Sequence, residues 1–142
     1  MTFEIATAIE IKANPRQVWD ILTNFSRYPE WNHFLPKING IPVAGASIRF
    51  VFEIPRGLRL PACAVILKAE AEKELRWAGG VRGVFRAEHY FLLEPIYNST
   101  LRFRHGEIFT GFLAPVIWRL FLAENGPPVY EAMNLTLKGR AE

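Results

Sequence analysis

The chain has 142 residues, half of them apolar, with 17 basic against 14 acidic side chains and a formal charge of +3. This length suits a single domain, 1–142, with a real core. Its basic residues are scattered among acids, which describes a solvated surface and excludes a nucleic-acid footprint. One cysteine, Cys63, excludes an internal disulfide framework and fits a reducing compartment. Its neighbours Ala62, Ala64 and Val65 predict that it is buried. The opening MTFEIATAIEIK has neither a basic n-region nor a continuous apolar h-region, so no signal peptide is expected and a cytoplasmic location is the default.

Phe3, Ile5, Thr7, Ile9 and Ile11 alternate with polar or small neighbours, the pattern of a strand with one buried face. Asn14 then opens a short helix: it can cap, Pro15 suits the first helical position, and Gln17 stands three residues after the cap. Val18, Ile21, Leu22 and Phe25 supply its buried face. Tyr28 to Pro36 (YPEWNHFLP) predicts a second short helix or ordered loop over an open end of the sheet, and Gly40 to Gly45 a turn. A second strand carries Ile48, Phe50, Phe52 and Ile54 in phase. Pro55 to Pro61 is a connection, and Ala62 to Ala71 a third strand with Cys63, Val65 and Leu67 in phase. The fourth strand runs through Leu75 and Trp77 to Gly79 and Gly80. The fifth covers Val84 to Glu94 and the sixth Thr100 to Thr110, joined by a turn at Pro95 to Ser99.

Phe112 to Lys138 is the one segment long and apolar enough for a central helix. In its first half Leu113, Val116, Ile117, Leu120 and Phe121 share one helical face, with Trp118 and Leu122 opposite, so this half is apolar almost all round and interrupted only by Arg119. Such a helix needs cover from a concave sheet or from lipid. The run is broken by Pro115 and Arg119 and is well short of the roughly 20 residues of a membrane span, so the sheet is expected. Gly126, Pro127 and Pro128 predict a kink or short break. Val129, Met133 and Leu137 resume the apolar spacing, with Glu131, Asn134, Lys138 and Glu142 toward solvent. A run of strands followed by a helix on one face describes an α+β domain.

Strand parity places Phe85, Ala87, His89, Phe91 and Leu93 on the inward face of the fifth strand, and Leu101, Phe103, His105, Glu107 and Phe109 on the inward face of the sixth. A hairpin centred near Tyr97 would set His89 opposite or close to His105, and Ala87 opposite Glu107. Three titratable groups then converge on an apolar face, where unpaired polar groups cost roughly 1–3 kcal/mol each. His105 and Glu107 can serve as a structural pair, as a polar handle for a ligand, or as a proton-transfer couple with His105 as base. No spacing repeats a metal-ligand motif, and no metal or cofactor is expected. Trp31, Trp77, Phe50, Phe52, Phe91, Phe103 and Met133 are each most simply core. Together they are numerous enough to wall an apolar cavity between sheet and helix.

The ordered series IEIKANPRQVWDIL, YPEWNHF, LRWAGG, HYFLLEP, RHGEIFTGFLAP and YEAMNLTLKGRAE resembles the START/Bet v 1-like superfamily, in its bacterial polyketide cyclase/dehydrase-like branch. The resemblance implies a helix-grip fold, a curved seven-stranded antiparallel sheet wrapped around a long C-terminal helix, with two short helices after the first strand. Six strands are read above; the resemblance places the seventh within Gly57 to Pro61 or inside the third strand. His105 and Glu107 match a recurring H-x-E segment. Trp31 and Asn32 match a W-N segment usually followed by proline, where this chain has His33. No cyclase catalytic set transfers. The expected function is binding of a small hydrophobic or aromatic ligand, such as a lipid, quinone or polyketide-like molecule, by a monomer or homodimer with no nucleic-acid partner and no integral membrane association. The ligand-binding candidates are Trp31, Phe50, Phe52, Trp77, His89, Phe91, Phe103, His105, Glu107 and Met133. A cyclase or dehydratase using His105 and Glu107 is the alternative, and a protein-interaction module the second, against which the exterior Arg86, Glu88, Arg102 and Arg104 argue.

Overall fold

The alternation in the first residues does become a strand, β1 (Phe3–Ile11), with Ile5 and Ile11 buried. The computed structural model describes residues 2–142; Met1, within the expected domain 1–142, lies outside them. After β1 come α1 (Pro15–Thr23), a 3-10 helix (Phe25–Glu30), β2 (Lys37–Asn39), β3 (Ser47–Glu53), β4 (Arg59–Glu70), β5 (Glu74–Val81), β6 (Phe85–Tyr97) and β7 (Thr100–Thr110). A 28-residue C-terminal helix follows, made of α2 (Ala114–Ile117), a π-helical turn (Trp118–Leu122) and α3 (Ala123–Ala141). The capping box before α1 is formed. Asn14 Oδ1 accepts from the Gln17 amide at 2.9 Å and Gln17 Oε1 from the Asn14 amide at 3.0 Å, an arrangement that contributes about 1 kcal/mol.

The strands form one antiparallel sheet in the order β1-β7-β6-β5-β4-β3-β2. The sheet curves around the C-terminal helix, and α3 packs chiefly along β1. The seventh strand is β2, in neither of the places expected for it. With three residues between Pro36 and Gly40 it is too short to display a period.

Four other expectations need correction. In β4 the inward residues are Ala64 and Ile66, so Cys63, Val65 and Leu67 point outward and Cys63 is exposed. A bulge between Ile66 and Lys68 reverses the phase within the strand, and only beyond it does odd-numbered Ala69 turn toward the core. The β6–β7 hairpin turns at Asn98–Ser99 with Ile96 unpaired, which shifts the register: His89 faces Glu107, Phe91 faces His105 and Ala87 faces Phe109.

The helix turns the other way from the face expected. Its buried stripe runs Ala114, Trp118, Leu122, Gly126, Tyr130, Met133, Asn134 and Leu137, with Trp118 and Leu122 partly buried, whereas Leu113, Val116, Leu120 and Phe121 are exposed. Steps of four residues drift by about 40° per step in an α-helix of 3.6 residues per turn. The π-turn, by adding a residue, keeps Trp118 and Leu122 on the stripe.

At Gly126–Pro128, where a kink or short break was expected, the helix continues without a break. The prolines withdraw donors from the carbonyls of Ala123 and Glu124, which are exposed to solvent. Gly126 brings the helix close to β1: a Cβ there would meet Ile5 Cδ1 at 2.5 Å.

A second close approach lies on the sheet's outer face at Gly106. A Cβ there would collide with the Ile5 carbonyl and the Tyr90 hydroxyl. The absence of a side chain lets the Tyr90 ring lie across β7 and donate to Glu4 Oε2 at 2.5 Å. The Arg76 guanidinium stands 5.0 Å from that ring and also pairs with Glu74 and Glu88.

Candidate functional site

Where β6, β7, β1 and α3 meet, a chain of polar side chains crosses the apolar interior. Its direction is set from one end. The Thr7 hydroxyl donates to the His105 carbonyl at 2.6 Å and accepts from Asn134 Nδ2 at 2.8 Å. This orients the Asn134 amide so that its Oδ1, an acceptor only, faces His105 Nδ1 at 2.8 Å. His105 therefore carries its proton on Nδ1. Its Nε2 is then a lone pair, and His89 Nε2–H donates to it across 2.7 Å. His89 Nδ1 is left as a lone pair 3.7 Å from Glu107 Oε1. The Tyr130 hydroxyl donates to the same Glu107 oxygen. The order is thus Thr7, Asn134, His105, His89, Glu107, Tyr130.

Burial sets the charge of this chain. Desolvation holds His105 down to about 4. It pushes His89 well below the usual imidazole range, with the neighbouring His105 lowering it further. Desolvation raises the Glu107 carboxyl to about 7 against the lowering effect of the Tyr130 hydrogen bond. The Tyr130 phenol is raised by its burial and by the Glu107 carboxylate. Both imidazoles are therefore neutral at pH 7, and Glu107 is the member poised to change charge there. His105 is fully buried, whereas 15% of the Glu107 side chain remains exposed. The expected couple of His105 with Glu107 is thus interrupted by His89, and both His105 ring nitrogens are engaged.

Of the ten ligand-binding candidates, the structure brings His89, His105 and Glu107 into this chain. It stacks most of the aromatics on one another. Trp77 stands 5.3 Å from Phe91 and 5.2 Å from His89, while Phe91 stands 5.9 Å from Phe103 and 4.9 Å from His105, centroid to centroid. Trp31 is buried against Tyr28, its indole N–H without an acceptor among the described residues. Phe50 and Phe52 are partly buried beside this cluster. Met133 lines an open recess of about 260 Å³ between α3 and the β3–β4 connection, whereas Phe50 lines a separate one of about 380 Å³ over β2, β3 and β4, beside Lys37, Arg49 and Cys63. The other walls of the Met133 recess are apolar at Phe34, Ile54, Val129 and Ala132 and polar at His33, Glu53, Arg56 and Thr136. Behind Met133, Asn32 Nδ2 contacts the sulfur at 3.6 Å and Asn32 Oδ1 accepts from the Leu35 amide. Phe34 packs 5.4 Å from Tyr130 and so separates the recess from the polar chain. Tyr130 and Asn134 were not among the candidates, and Asn134 was expected in solvent. Both lie on the Ala114–Gly126 stripe, and following that stripe in steps of four would have placed them inside.

A family model described as polyketide cyclase / dehydrase and lipid transport matches residues 2–142. Among solved structures, TTHA0849 from Thermus thermophilus superposes with a TM-score of 0.75 at 13% identity, over 98% of this chain and 97% of that one. A START superfamily protein from Mycobacterium smegmatis gives 0.74 at 16% identity, over 97% and 96%. Truncated norcoclaurine synthase from Thalictrum flavum gives 0.70 at 14% identity, over 97% and 92%. No curated protein matches in sequence. At such identities the structural likeness establishes the fold alone, the helix grip of START and Bet v 1 proteins. With the family match running from residue 2 to residue 142, the chain belongs to the polyketide cyclase/dehydrase and lipid transport family.

Proposed function

We propose that the chain binds a small hydrophobic or aromatic molecule in the recess between α3 and the β3–β4 connection. The observation that carries this reading is the recess itself, apolar at Phe34, Ile54, Val129 and Met133 and lying where the sheet's open end meets the helix. Its volume of about 260 Å³ lies just below the roughly 300–1,000 Å³ of drug-sized sites, which favours a compact ligand of one or two rings. Met133, unbranched and polarizable, adapts its floor to ring or chain. Phe34 is the side chain whose displacement would open a path to Tyr130 and Glu107, the polar end available to a ligand hydroxyl or carbonyl. The family's description is compatible with a hydrophobic ligand or with polyketide chemistry.

Thermal unfolding against a panel of quinones, aromatic acids and short-chain lipids tests the reading. A ligand at about 100 times its Kd adds about 2.7 kcal/mol, a rise of several degrees in Tm. A folded protein that no member of the panel shifts would refute it.

One feature favours an enzymatic reading as the second: Glu107 keeps 15% of its side chain exposed at the end of the polar chain, and burial raises its carboxyl to about 7, a value suited to proton transfer at neutral pH. In that reading Glu107 and not His105 is the acid–base group, since His105 has no free nitrogen. Glu107→Gln would then abolish turnover while the protein stays folded.

A further inference from the structure

The C-terminal helix opens with a face the sheet does not cover. Phe112, Leu120 and Phe121 are 70%, 60% and 61% exposed, and Leu113 and Val116 are exposed beside them. The end of β5 adds exposed Val81, and the turn after it is tied to the helix start, the Phe112 amide donating to the Gly83 carbonyl and the Leu113 amide to the Val84 carbonyl, both at 3.0 Å. Rotating the helix cannot bury this face, because Ala114, Trp118 and Leu122 anchor the opposite side against Phe3, Ile5 and Phe109. A contiguous exposed apolar surface of this kind marks an interaction site.

Charge decides its occupant. Arg82 and Arg119 are exposed, and neither forms an ion pair among the described residues. No aspartate or glutamate occurs from Leu75 to Ala87 or from Ile108 to Ala123. Two copies meeting through this face would bring like charges together, whereas an acidic surface complements it. The segment is also short, and no helix among the described residues is long and apolar enough to cross a membrane. A short helix with apolar side chains outward and arginines beside them suits the plane of a bilayer surface.

We propose that the face formed by Phe112, Val116, Leu120 and Phe121, flanked by Arg82 and Arg119, docks on the surface of a bilayer containing anionic lipid. This docking does not depend on the ligand reading. Co-sedimentation with vesicles of phosphatidylcholine, alone or equimolar with phosphatidylglycerol, tests it. The protein is expected to partition onto the mixed vesicles, weakly onto phosphatidylcholine, and less as salt rises. Each arginine contributes about five-fold near such a surface, so Arg82→Ala with Arg119→Ala should weaken partitioning by about 25-fold. Phe112→Ser with Phe121→Ser should abolish it, with wild-type circular dichroism and Tm because both rings are exposed. Absence of binding to the mixed vesicles, or equal binding by these folded variants, would overturn the proposal. So would a dimer in sedimentation velocity that the phenylalanine variants disrupt, since that would assign the face to a second copy.

Discussion

Replacing Glu107 with glutamine separates the charge of the buried chain from its shape. The introduced side-chain carbonyl can still accept from the Tyr130 hydroxyl, and the new amide can donate toward the His89 Nδ1 lone pair, as a protonated carboxyl would. The folded-state carboxyl lies at about 7 against an ordinary 4.5, so the folded protein holds a proton that the unfolded chain releases between these values. Stability from this group is full below pH 4.5 and is lost as pH rises to about 7, by about 1.4 kcal/mol per unit and about 3 kcal/mol in all. The two histidines act oppositely: their lowered values mean that stability falls as pH drops from 6.5 toward 4. Between pH 4.5 and 6.5 the wild type should therefore gain stability with pH at about one proton's slope, and Glu107→Gln at about two. Urea unfolding at fixed ionic strength from about pH 4.5 to 7.5 measures the difference directly. The variant should match the wild type at about pH 4.5 and exceed it by about 3 kcal/mol at about pH 7.5. A pH-independent difference, or a variant less stable than wild type at the alkaline end of this range, would refute the assignment of a neutral chain ending in a raised carboxyl.

Long-range 1H–15N spectra should show His105 as the Nδ1–H tautomer and His89 as Nε2–H, both neutral at pH 7; the opposite pair would reverse the chain's direction. Gly106→Ala should destabilise by roughly 1–3 kcal/mol or more in chemical denaturation, because the new methyl meets the Ile5 carbonyl and the Tyr90 hydroxyl. Tolerance of that alanine would show that Tyr90 is free to leave Glu4.

The sequence exposed some of this architecture because local rules and tertiary packing agreed. β1 was legible from alternation and α1 from Asn14, Pro15 and Gln17, and the structure keeps both. The meeting of His89, His105 and Glu107 followed from strand parity alone, although their partners did not, since the turn lies at Asn98–Ser99 beyond Tyr97 and the unpaired Ile96 offsets only part of that shift. In β4 the bulge after Ile66 made a single phase misleading and put Cys63 in solvent. The helix misled most. Both its sides are apolar, and the side that packs contains Ala114, Gly126 and Tyr130, whose small or amphipathic character makes it look weaker than Val116, Leu120 and Phe121. Close packing selected shape over hydropathy there, and that choice hid Tyr130 and Asn134.

A compact ligand held against Met133, between α3 and the β3–β4 connection, is the central claim. Native mass spectrometry of freshly purified wild-type protein beside Ala132→Trp, a change at an exposed position on the wall of the recess, tests it most directly. The expected result is a small molecule retained by the wild type, or taken up from the aromatic panel, and excluded from the folded variant. Equal occupancy of both proteins would place the ligand elsewhere and contradict it.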